Sequence, residues 1–152
     1  MNIKWYEYIL WALIGAVSAL VLTFIFNVTH LTEMASYQGP FQALFYRSDS
    51  LPVLITLYCF ATPLAEEIIF RYYIFNTLMH SAALYNHPKK AAVSILITAA
   101  LFGIYHLNFV QMLYGFIMGL LITYSYYKRN VLTVPFLVHS AANAVALYYT
   151  FM

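Results

Sequence analysis

Five apolar stretches follow one another along the chain, at about Trp5–Val28, Leu51–Met79, Ala91–Leu107, Val110–Tyr127 and Val134–Phe151. Runs of this kind predict helices that cross a bilayer, whose hydrocarbon core takes about 20 apolar residues to span. The connections between them are polar. The longest, His30–Ser50, holds Glu33, Gly39-Pro40, Arg47 and Asp49, and its Phe41–Tyr46 piece predicts a short interfacial helix. Asn86-His87-Pro88 in the next connection is a turn signal that also sets up the following helix. The second stretch would be roughly 43 Å long as one helix, against a core of about 30 Å. Pro63 lies inside it, and proline removes a donor and crowds the preceding turn. A kink or break near Thr62-Pro63 is therefore expected, with Glu66 and Glu67 in the first turn of the second half. A helix N-terminus there would favour an ionised carboxylate. The predicted fold is all-α: one domain over residues 1–152, a polytopic membrane bundle of about five transmembrane helices.

Composition strengthens this picture. The 152 residues are 64% apolar, 19% aromatic and 8% charged, whereas soluble domains carry about 25% charged residues. The first apolar run, Ile9–Phe26, exceeds the roughly 7–15 residues of a signal-peptide core and is read as a retained span. Trp5, Tyr6, Tyr8 and Trp11 at its start suit an interfacial belt. A formal net charge of +2 gives no footing for nucleic acid as a partner. Cys59 is the single cysteine, which excludes an intrachain disulfide and a thiol-cluster metal site and reads as a packing residue. With five spans, Lys4, Lys89, Lys90, Lys128 and Arg129 fall on one side of the membrane and Arg47 alone on the other. The positive-inside rule then predicts a cytoplasmic N-terminus and an external C-terminus, in an integral protein of the plasma membrane.

Against this apolar background a few polar residues stand out. Charged side chains at bilayer depth cost roughly 2.5–3.5 kcal/mol each on insertion scales, and the second stretch carries three, in Glu66-Glu67-Ile-Ile-Phe-Arg71. Glu67 and Arg71 are four apart with the acid first, the favourable order for a helical ion pair. Glu66 points about 100° away, so it stays free for proton chemistry while Glu67 becomes structural. Adjacent acids in a low dielectric have their protonation equilibria split, which suits acid–base work. Two further pairs, Phe102-x-x-x-His106 and His139-x-x-x-Asn143, each share one helix face. Singly, each pair is read more readily as interhelical packing; in one chain with the acidic pair they suggest a buried reaction site. Along straight helices His106 would lie roughly 22 Å from the cytoplasmic end and His139 about 8 Å. Tilt, or a fifth helix starting below the surface, must bring them together.

In this order, Glu66-Glu67-x-x-x-Arg71, Phe102-x-x-x-His106 and His139-x-x-x-Asn143 resemble the three signature motifs of the CPBP intramembrane protease family. That family includes type II CAAX prenyl endopeptidases and bacteriocin-processing, abortive-infection-like proteins. The resemblance covers about residues 51–149. It implies that Glu66 is the catalytic carboxylate, that His106 helps it activate water, and that His139 and Asn143 stabilise the oxyanion. It leaves the cofactor undecided between none and a divalent metal such as zinc, for which Glu66, His106 and His139 would be the three ligands with water in the fourth position.

The function expected is that of an intramembrane endopeptidase acting on a lipidated protein tail or a peptide precursor, with membrane lipids around it. The alternative is a non-catalytic immunity or scaffold protein of the same fold. A proton pathway is disfavoured because the polar groups cluster rather than form a ladder. Finally, Gly115 and Gly119 make a small-xxx-small face that permits close helix approach, either inside the chain or in a homodimer.

Overall fold

The computed structural model describes residues 3–33, 50–84 and 86–151. Five helices carry it: α1 (Trp5–Val28), α2 (Leu51–His80), α3 (Lys90–Tyr105), α4 (Phe109–Arg129) and α5 (Thr133–Phe151). Helices α1, α2 and α4 are each long and apolar enough to cross a membrane, and α3, with 16 residues, is a shorter apolar helix. The chain is a helical membrane bundle. The interfacial helix expected at Phe41–Tyr46, together with Arg47, lies outside the described residues.

Packing forms two tight pairs, α1 on α5 and α3 on α4, with α5 also touching α4 and the first half of α2. Ala19, Leu22 and Phe26 of α1, Val110, Met118 and Ile122 of α4, and Val138 and Ala142 of α5 build the apolar core. Gly15 permits the α1–α5 contact: a Cβ there would come within 2.4 Å of the Val138 carbonyl oxygen. On α4, a Cβ at Gly115 would press on the His106 ring at 3.1 Å, and one at Gly119 would meet Phe102 at 3.1 Å and Ala99 at 3.2 Å. The small-xxx-small face is therefore filled by α3 of the same chain. Of the two readings the sequence left for Gly115 and Gly119, this is the internal packing. At one end of the bundle Glu7 pairs with Arg129 across 3.2 Å, so the start of α1 and the end of α4 lie together.

The disturbance expected at Pro63 takes another form from a break. α2 is continuous, and its hydrogen-bond register widens to i→i+5 over Thr56–Ala61 before the α-helical turn Thr62–Glu67. Thr62 donates its N–H to the Leu57 carbonyl, five residues back. In that register residue 63 would serve Tyr58, and in the α register it would serve Cys59. Proline has no N–H and serves neither. Because α2 does not restart at Pro63, the two glutamates gain no helix N-terminus: they close the Thr62–Glu67 turn, and the register widens again over Ile68–Phe75. Two such widenings in one helix flank the acidic pair, a placement typical of functional sites.

Candidate active site

Glu67 and Arg71 are both fully buried, and Arg71 Nη1 donates to Glu67 Oε1 at 2.9 Å. The guanidinium also lies 4.5 Å over the Phe102 ring and 6.0 Å from that of Phe70, aromatic faces that favour a cation. The spacing of four on α2 makes the ion pair; the stacking needs α3 alongside. His139 Nδ1 donates to the same Glu67 Oε1 at 2.7 Å. Glu67 is thus more than the arginine's partner: it fixes the ring orientation of an imidazole 72 positions away in sequence.

With Nδ1 donating, the other face of His139 is set. Its Nε2 lies 3.4 Å from Glu66 Oε2, and both residues are nearly buried. Glu66 takes no part in the Arg71 pair, as the 100° offset from Glu67 requires. Two acids, one arginine and one imidazole make a cluster that is electrically neutral when it holds a single proton between Glu66 and His139.

His106 lies at the C-cap of α3 rather than inside it. Leu107 follows with φ of 54°, the left-handed region, which turns the chain sharply. Asn108 then caps α4, its side-chain oxygen accepting from the N–H groups of Val110 and Gln111, each at 3.1 Å. His106 Nδ1 donates to the Phe102 carbonyl at 2.8 Å. A carbonyl can only accept, so Nδ1 carries a proton, and in the neutral ring Nε2 keeps its lone pair. Among the described residues no hydrogen bond joins His106 to Glu66. The link is Phe102, whose ring meets His106 edge-on at 5.1 Å and His139 at 5.5 Å. One ring covering both imidazoles brings His106 and His139 close despite the depth difference along straight helices.

Asn143 stands one turn beyond His139 on α5 and donates through Nδ2 to the Tyr58 carbonyl at 2.8 Å. Ser140 donates its hydroxyl to the Cys59 carbonyl. These are the two carbonyls that an N–H at residue 63 would serve, one in each register. Sequence reasoning passed over Ser140 and the Glu67–His139 bond. Ser140 had a signal, since an intramembrane proline implies bare carbonyls about one turn earlier that a neighbouring helix must serve. The Glu67–His139 bond had none, because nothing local in sequence ties residues so far apart.

For a metal, the relevant set is Glu66, His106 and His139. Among the described residues no three His, Cys, Asp or Glu side chains converge to hold an ion. His139 presents Nδ1 to Glu67 and Nε2 to Glu66, so neither ring nitrogen is turned to a shared ion. The three do not form a ligand set in this arrangement.

The sequence profile described as type II CAAX prenyl endopeptidase Rce1-like matches residues 47–145. A curated relative, UPF0177 protein YxdF of Lactococcus lactis subsp. lactis (strain IL1403), is 35% identical over 96 residues, covering 61% of this chain and 49% of its own length. The chain thus spans about half the length of that relative. No solved structure matches it significantly.

Proposed function

The chain belongs to the type II CAAX prenyl endopeptidase Rce1-like family, a family of membrane endopeptidases, and on that premise we propose that it hydrolyses a peptide bond at Glu66. The observation that carries this reading is the 3.4 Å approach of Glu66 Oε2 to His139 Nε2 in a cluster whose other acid is already committed to Arg71. Glu66 takes a proton from water as the oxygen attacks the substrate carbonyl carbon. The Nε2 lone pair of His106 holds the water's second hydrogen. As Glu66 becomes neutral its attraction for the His139 Nε2–H falls, and that N–H turns to the oxyanion forming on the carbonyl. An asparagine amide has two N–H groups; Asn143 spends one on Tyr58 and offers the other to the same oxyanion. Collapse breaks the C–N bond, and the amine leaves with the proton from Glu66.

The substrate class is a lipidated protein tail or a peptide precursor, met at the membrane. The N-terminus is cytoplasmic and the C-terminus external, in the plasma membrane. The Glu7–Arg129 pair supports this topology, since it gathers Lys4, Lys128 and Arg129 at one end of the bundle.

The reading is tested with purified protein in detergent and two internally quenched probes, a farnesylated peptide ending in a C-a-a-X tail and an unlipidated precursor-type peptide. Run in 18O-water, cleavage should place one 18O in the new carboxyl terminus of at least one probe. Intact peptides in both reactions would overturn the endopeptidase reading.

A further inference from the structure

We propose that Ser140 and Pro63 are positioning residues, which act together to fix His139 and Asn143 on α5; their consequence for catalysis rests on the endopeptidase reading above. Pro63 supplies no N–H, and Thr62, the donor before it, is committed to Leu57. The Tyr58 and Cys59 carbonyls, which residue 63 would serve in one register or the other, thereby lose a donor between them inside the bundle, where a lost donor is costly and no bulk water is at hand. α5 answers with two donors three positions apart, Ser140 to Cys59 and Asn143 to Tyr58. Serine and threonine hydroxyls in helices commonly turn back on their own helix, as Thr123 does to Gly119 and Ser125 to Ile122 in α4. Ser140 instead reaches across to α2.

Crossing matters because of what Ser140 adjoins. His139 precedes it directly, and Asn143 lies one turn beyond His139. The two bonds set the height and rotation of α5 against the helix that carries Glu66 and Glu67. They also hold the Asn143 amide plane, which would otherwise rotate freely and lose the direction of its second N–H. A proline in α2 thereby aims two side chains on α5.

Cys59 is the only cysteine in the chain, so feeding cysteine labelled with 13C at its carbonyl gives one infrared reporter at the bond in question. In Ser140→Ala the labelled carbonyl stretch should move to higher frequency, and in Ser140→Thr it should stay with the parent. The 15N signals of His139, assigned by their loss in His139→Gln, should shift in Ser140→Ala and return in Ser140→Thr. On a cleaved probe, Ser140→Ala should lose on the order of tenfold to a hundredfold in kcat with KM held, and Ser140→Thr should recover most of it. Pro63→Ala returns an N–H to this stretch, so Ser140→Ala should cost less in that background than alone. An unmoved carbonyl band, an unmoved His139 signal or strict additivity of the two substitutions would overturn the proposal. Failure of both probes to be cleaved would strike the endopeptidase reading instead, with the infrared and histidine signals still deciding this one.

Discussion

At Glu67 one carboxylate oxygen receives both Arg71 Nη1 and His139 Nδ1, at 2.9 and 2.7 Å, with no exposure to solvent. Removing its charge strands a buried guanidinium and frees an imidazole at once. Breaking one side of a buried ion pair typically costs about 3–5 kcal/mol. Glu67→Gln is therefore expected to fall by about that much in stability, read as detergent thermal unfolding and as the amount of protein recovered from membranes. Phe102→Leu should be milder, since Arg71 keeps its glutamate and loses only the aromatic face 4.5 Å away. The roles of Glu67 and Arg71 could be assigned from spacing because an i, i+4 pair is a local geometric fact. The His139 bond to Glu67 could not, because it depends on how α5 is set against α2.

At the level of helices, the two close approaches at glycine differ in what a side chain would strike. At Gly15 the obstacle is backbone, the Val138 carbonyl oxygen at 2.4 Å; at Gly115 it is the side chain of His106 at 3.1 Å. Gly15→Ala must push α1 off α5, and overpacking of this kind costs about 1–3 kcal/mol. Gly115→Ala can be absorbed by moving the imidazole a few tenths of an ångström, so it should lower turnover more than stability. Comparing unfolding midpoints with cleavage rates of the two variants separates them; equal losses in both quantities would contradict the packing described. Here too the sequence was partly legible. Gly115 and Gly119 announce a close approach, and Pro63 a disturbed helix. That the partner is α3, and that the disturbance is a widened register whose Tyr58 and Cys59 carbonyls accept from α5, follows only from the assembled bundle. His106 was expected within a span and stands at its C-cap, because the turn through Leu107 is made by a residue with no turn propensity to signal it.

For the molecule as a whole, the apolar stretches alone specified a helical bundle in a membrane, since continuous apolar runs of this length satisfy their backbone in a bilayer as helices. Its sidedness rests on the basic residues gathered near the Glu7–Arg129 end. Reporter fusions at Asn86 and after Met152 should report cytoplasmic and external positions, respectively. A cytoplasmic signal from the second fusion would require that one helix does not cross. Everything functional converges on Glu66, which stands apart from the Glu67–Arg71 pair and faces His139. The most direct measurement is kcat/KM of Glu66→Gln beside the parent, in protein matched for thermal unfolding. An amide of the same shape cannot take a proton from water, so the rate should fall by about 10²–10⁴ with the unfolding midpoint nearly unchanged. Parent-level cleavage by a folded Glu66→Gln protein would contradict Glu66 as the base.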